Sequence, residues 1–247
     1  MTAPVFFVET SALAAAGRVV VDGDEGHHAT VVRRLRIGEA VTLTDGQGCR
    51  GDGVVVDVAK GLLTVVVDQV AQLPRPTPLL TVVQALPKSD RGERAVAALA
   101  EVGVDIIVPW SAERCVMKWA GPRGERGLAR WRSTAAESAK QSRRVWWPAV
   151  TSMASTDEVS DRIKSSTLAL VLHESAEESL ADAVLPSAGE ITLVVGPEGG
   201  LTDDELNGFR SAGGKTVQLG PTVLRTSTAG VVAAAVVLAA GSRWSTA

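Results

Sequence analysis

A chain of 247 residues, 45% of them hydrophobic and with a formal net charge of −3, has material for one large core or two modest ones. The mild acidity excludes a protein that binds polyanions through its overall charge, although a local basic patch is compatible with it. The first residues lack the n-region and h-region of a signal peptide, and the longest apolar run, 229–240, falls short of the roughly 18 residues of a membrane span.

In chain order, the first segments read as short strands: "VFFV", "RVVV", "AVTLTDG", "GVVVDVA" and "LLTVVVDQV", separated by Gly/Asp turns. One stretch of helical spacing, "HHATVVRRLR", interrupts them. Several short strands with turn signals between them predict a small β-barrel or sandwich over residues 1–73. Within it, Gly46-Gln-Gly48-Cys-Arg-Gly51 matches the dinucleotide pattern G-x-G-x-x-G. That fingerprint needs a following helix whose N-terminus holds the pyrophosphate. Here a strand follows, so the match reads as a hairpin loop.

The segment "QLPRPTP", at about 72–78, carries three prolines in seven residues and reads as a linker. Beyond it, over 74–247, the period changes. "LLTVVQAL" is a buried strand, "RGERAVAALAEVG" has helical spacing, and "VDIIVPW" is a second strand. A long basic helix region then extends to about Arg144. "TLALVLHE", "EITLVVG" and "KTVQLG" are three more strands, with helical segments between and after them. Strands alternating with helices predict an α/β domain with a mostly parallel sheet.

From Lys118 to Arg144 there are eight basic residues against Glu125 and Glu137. Such a cluster fits either a nucleic-acid face or a solvated helix side. Cys49 and Cys115 form no redox or metal spacing, and three histidines, His27, His28 and His173, are too few for a histidine-rich metal site. A reduced, cytoplasmic protein with no metal and no membrane partner is expected. The ends of the last three strands carry more. "LVLHE" offers His173 and Glu174, "VVGPEGG" a glycine-rich bend, and "VQLGPTVLRTSTAG" a Gly220-Pro221 step and then Leu224-Arg225 before a small-residue helix. Ligands of open α/β sheets bind outside the carboxyl ends of the strands. Three such ends together predict a ligand site, with Gly199 keeping space open for the ligand.

"GPEGGLTDDEL" followed by "LGPTVLRTSTAG" closely resembles the RsmE family of SPOUT methyltransferases, which methylate N3 of a uridine in 16S ribosomal RNA. The likeness spans nearly the whole chain. "HHATVVRRLRIGEAVTLTDGQG" resembles that family's PUA-like RNA-binding module, "QALPKSDRGERAVAALAEVGVDIIVPW" the opening of its catalytic domain, and "RWRSTAAESAKQSRR" its basic helix. The resemblance implies a C-terminal trefoil-knotted domain and a homodimer with the site completed across the interface. It implies S-adenosylmethionine as cofactor and 16S rRNA, or the small ribosomal subunit, as substrate. It places cofactor contacts at Leu172, Gly196, Pro197, Glu198, Gly199, Gly200, Leu219, Gly220, Val223, Leu224 and Thr228. RNA contacts are expected from Arg33, Arg34, Arg36, Arg130, Lys140, Arg143 and Arg144. Arg225 is the candidate catalytic residue, as a cation that stabilises the uridine anion or holds an RNA phosphate. Two positions depart from the family pattern: Ser227 stands where a glutamate is usual, and Ala98 where a lysine is usual. The alternative reading is an RNA-binding or ribosome-assembly factor that keeps the fold without catalysis.

Overall fold

The computed structural model describes residues 3–244. Its contacts divide the chain into two compact units: the stretch through Arg75 together with Ala139–Trp147, and Pro76–Ser138 together with Pro148 onward.

The first unit contains β1 (Val5–Phe7), β2 (Gly17–Val21), α1 (Gly23–His27), β3 (Ala40–Thr44), β4 (Cys49–Ala59) and β5 (Leu62–Gln72). They form a five-stranded sheet in the order β1-β3-β4-β5-β2. The β1–β3 pair is parallel and the other pairs are antiparallel. The period-two pattern of β4 turns Cys49, Gly51, Gly53 and Val55 inward. They meet a core built on Phe6, Val41, Leu43, Leu63 and Val65. The stretch expected as one helix divides in two: α1 passes into a π-helical turn over His28–Val32, and Arg34 then takes a left-handed φ of 55°.

The Gly46–Gly51 loop is a hairpin connection, as expected, and its glycines serve packing. A Cβ at Gly46 would lie 2.7 Å from the Trp147 ring, and one at Gly48 2.4 Å from the Trp146 ring. Gly48 N and Trp147 N bond Val145 O and Gly46 O, while Trp146 Nε1 donates to Leu73 O and Pro74 O. These contacts draw 139–147 into the first unit.

The second unit contains β6 (Leu79–Ala85), α2 (Arg91–Val102), β7 (Ile106–Trp110), α3 (Gly121–Gln141), β8 (Ala149–Val150), α4 (Thr156–Ser165), β9 (Leu168–Leu172), β10 (Glu178–Ser179), β11 (Glu190–Val195), α5 (Asp203–Ser211), β12 (Lys215–Gln218) and α6 (Thr226–Ala240). The last residues of α3 group with the first unit. The seven strands run in the order β10-β12-β9-β11-β6-β7-β8, and every pairing is parallel. β6, β9 and β11 are near-continuous buried apolar runs, as strands covered on both faces must be. Among the described residues no helix is long and apolar enough to cross a membrane.

The basic helix ends at Gln141 rather than near Arg144. Arg143 takes a left-handed φ of 59° and its N–H bonds Lys140 O, so the chain turns out of the helix there. The two-residue strands β8 and β10 are absent from the sequence reading because two residues carry no period.

Candidate active site

Parallel register brings the strand ends to one edge. Val195 of β11 pairs Gln84 of β6, Val194 pairs Val171 of β9, and Leu172 pairs Val217 of β12. β7 and β8 step one way from β6, whereas β11 and β9 lie on its other side. The strand order therefore reverses near β11, the place where open α/β sheets take ligands.

At the end of β11 the chain leaves the sheet at Gly196 and closes a turn in which Gly200 N bonds Pro197 O at 2.9 Å. Gly200 has φ +72°, which side chains rarely adopt. Thr202 then caps α5 in a capping box with Glu205. Glu205 is buried, and its carboxylate divides its two oxygens: Oε2 accepts from Thr202 N at 3.0 Å and Oε1 from Glu113 N at 2.8 Å. The bend is thereby joined to the segment after β7. From that segment Arg114 Nη1 donates to Gly199 O at 3.2 Å and to Leu201 O at 3.1 Å. Lys88 N donates to Glu198 Oε1 at 3.1 Å.

The end of β9 supplies Leu172 and then His173, whose N–H bonds Val217 O. Its Nδ1 accepts from Ser175 N at 3.2 Å, so the neutral ring carries its proton on Nε2. The end of β12 leads through Leu219 and Gly220 to Arg225, the N-cap residue of α6. Arg225 has an extended backbone and makes no side-chain capping bond.

These three loops and Arg114 enclose a cavity of about 580 Å³, within the range of small-molecule sites. Every expected cofactor residue lines it except Thr228, and Arg225 lines it as well. Thr228 lies in the first turn of α6, with its N–H on Arg225 O at 2.8 Å. Gly199 does not face the open space expected for it: a Cβ there would lie 3.1 Å from Arg114 Cβ, so the absent side chain makes room for the neighbouring segment. Arg114 escaped the sequence reading, although it follows a strand end on the same edge.

Leu172, Val195, Leu201, Val223 and Leu224 give the cavity apolar walls. Glu174 and Glu198 supply negative charge, and Arg114 and Arg225 positive charge. This donor set fits S-adenosylmethionine, which combines an apolar-faced purine, ribose hydroxyls, a carboxylate and two cationic centres. Cys115 lies buried beside the site, and burial pushes its thiol pKa up, which disfavours the thiolate.

Of the expected RNA residues, Arg33, Arg34 and Arg36 are exposed in the first unit beside exposed Val32 and Ile37. Lys140 is committed to an ion pair with Glu25, whose other carboxylate oxygen accepts from Phe7 N. Lys140 thus ties elements of the first unit together. Arg143 is exposed and Arg144 half-buried. In the second unit, exposed Arg130 sits 3.5 Å from half-buried Glu93, a solvent-screened pair of little energetic weight. Ala98 is half-buried on α2, and Ser227 is half-buried in the first turn of α6.

An RNA methyltransferase domain family matches residues 74–238, and an RNA methyltransferase PUA domain family matches residues 21–68. The chain is 46% identical over 249 aligned residues to the ribosomal RNA small subunit methyltransferase E of Mycobacterium bovis, covering 99% of this chain and 94% of that protein. The Bacillus subtilis protein of the same name is 29% identical, with 85% of each chain covered. The crystal structure of the Neisseria gonorrhoeae ribosomal RNA small subunit methyltransferase E, bound to S-adenosylmethionine, superposes with a TM-score of 0.87 at 28% identity. It covers 99% of this chain and 100% of that one. With its paired domains and its cavity at the strand ends, the chain belongs to the ribosomal RNA small subunit methyltransferase E family of RNA methyltransferases.

Proposed function

We propose that the protein binds S-adenosylmethionine in the strand-end cavity and methylates N3 of a uridine in 16S rRNA of the small ribosomal subunit. The observation that carries the reading is the convergence of three loops from one parallel sheet on a cavity inside a domain matched over 74–238. Leu172, Gly196 to Gly200, Leu219, Gly220, Val223 and Leu224 would hold the cofactor, with Thr228 bracing the α6 turn behind Arg225. When bound, S-adenosylmethionine supplies an electrophilic methyl group on a sulfonium.

The protein's own part is alignment and charge. Uridine N3 lies on the Watson–Crick edge, so the base must be presented unpaired. Loss of the N3 proton leaves an anion. The Arg225 guanidinium stays protonated and stabilises that anion, and it is no base. Holding the reacting groups in line contributes up to roughly 7–11 kcal/mol in the best cases. A bend fixed by hydrogen bonds on both sides suits that task. Arg33, Arg34 and Arg36 in the PUA-matched unit, with Arg143, Arg144 and Arg130, take RNA phosphates; the exposed Val32 and Ile37 lie beside the first three.

The functional form is a cytoplasmic homodimer. Supporting this, α6 is apolar all round, yet Val231, Val232, Ala235 and Val236 remain half-exposed. Such a helix needs cover. The test is methyl transfer from labelled S-adenosylmethionine to 16S rRNA and to small subunits from a deletion strain, followed by mapping of the modified base. Label at uridine N3 is expected. Label at another base, or cofactor binding without transfer to either substrate, refutes the proposal.

A further inference from the structure

The segment 111–118 that follows β7 carries Arg114, whose side chain crosses to the bend after β11. Residues 113 and 114 are bonded to the bend in two ways. Glu113 N donates to the buried Glu205 carboxylate, which also holds Thr202 N. Arg114 reaches over the bend and donates from one nitrogen to Gly199 O and Leu201 O. Its stem packs on Gly199, where a Cβ would lie 3.1 Å from Arg114 Cβ and 3.4 Å from Arg114 O. The same side chain lines the cavity.

Two features set this apart from ordinary surface packing. The guanidinium sits on carbonyls just before a helix start, where a cation opposes the macrodipole; the acids Asp203, Asp204 and Glu205 in that first turn offset it. And the carbonyls it holds flank Gly200, whose left-handed φ of +72° is one that side chains rarely adopt. With Gly199 O and Leu201 O drawn to Arg114, the 199–200 peptide plane that enters Gly200 and the 201–202 plane that leads into the Thr202 cap are both fixed.

We propose that Arg114 is a positioning residue for the cofactor, setting the peptide orientations of the 196–201 bend before S-adenosylmethionine arrives. This rests on the cofactor assignment above. A side chain that only packs is replaceable by an apolar one of equal length, whereas a clamp needs the donors. The experiment compares Arg114→Met, which keeps the stem, with Arg114→Lys, which keeps a charged donor. S-adenosylmethionine affinity is measured by calorimetry, alongside steady-state kinetics and thermal unfolding.

Arg114→Met is expected to raise Kd and KM for S-adenosylmethionine about tenfold, the size of effect that charged hydrogen bonds support. The loss should fall on KM more than on kcat, with an unchanged unfolding temperature for the cofactor-free protein. Arg114→Lys should recover part of the affinity, because it restores a donor without the planar fork. A folded Arg114→Met protein that binds the cofactor within about twofold of wild type, well short of the effect of a charged hydrogen bond, overturns the inference alone. So does a loss of affinity matched by a fall in unfolding temperature that lysine fails to rescue, which marks a structural residue. Failure of the wild-type protein to bind S-adenosylmethionine overturns the cofactor assignment and this inference with it.

Discussion

Replacement of Gly200 by alanine isolates the backbone of the bend from its sterics. Nothing stands closer than 4.0 Å to a Cβ at this position, the nearest atom being Arg114 Nη1. The substitution therefore introduces no clash. It does force an L-residue to φ +72°, at a cost of about 1–2 kcal/mol. That cost can appear in two places. If the cofactor-free protein keeps the bend, native stability falls by the full amount, which lowers the unfolding temperature of a domain this size by roughly 2–8 °C. If the bend relaxes and re-forms on binding, stability is unchanged and S-adenosylmethionine affinity falls by a factor of about 5–30. The cofactor-saturated protein carries the whole penalty either way.

Thermal unfolding with and without saturating cofactor, together with calorimetric titration, measures both parts. Gly208→Ala is the control: it lies in α5 with open space around its Cβ position and no left-handed φ, and should stabilise by about 0.4–1 kcal/mol. A Gly200→Ala protein that matches wild type in both stability and affinity would refute the role assigned to the bend.

Arg225→Ala should retain folding and cofactor binding while single-turnover methyl transfer to 16S rRNA falls steeply, with Arg225→Lys intermediate because charge survives without the planar fork; wild-type turnover in the alanine variant would make Arg225 structural. Glu205→Ala deprives Thr202 N and Glu113 N of their acceptor and should cost about 2–3 kcal/mol in denaturant titrations, from the lost cap and the unpaired donors. Arg33→Glu with Arg36→Glu, both exposed in the PUA-matched unit, should weaken RNA binding and flatten the log–log salt dependence by about 1–2, leaving cofactor affinity intact; an unchanged salt slope would exclude that face. Burial raises the pKa of both Cys49 and Cys115, so at mildly alkaline pH each carries less thiolate than a free thiol. Both should resist iodoacetamide in the native protein and react on denaturation; rapid native alkylation would contradict the packing of both cores.

The parallel sheet was legible because its strands are buried on both faces, and "LLTVVQA", "LALVL" and "EITLVV" announce that burial as near-continuous apolar runs. The platform of the site was legible for a related reason. A bend that needs positive φ at Gly200 writes glycine into the sequence, and its place at a strand end makes that glycine conspicuous. Where the same residue type served sterics, the sequence was ambiguous: Gly46 and Gly48 imitate a nucleotide loop but make room for tryptophan rings from residues 146 and 147. The helix end at Gln141 was hidden because Arg143 adopts its left-handed φ without the glycine or asparagine that normally marks it. Hardest to read was the clamp. The bonds from Arg114 to Gly199 and Leu201, and from Glu113 to Glu205, join residues 85 to 92 positions apart. They join side chains to backbone groups, which leave no residue preference on the backbone side. Periodicity and turn chemistry report only neighbours in the chain, so they found the bend that lines the cavity and not the arginine bonded across it. A strand-end rule applied to β7 as strictly as to β9, β11 and β12 would have singled out the segment, because parallel register puts Trp110 on the same edge as Ala85. Arg114 lies four residues beyond that edge.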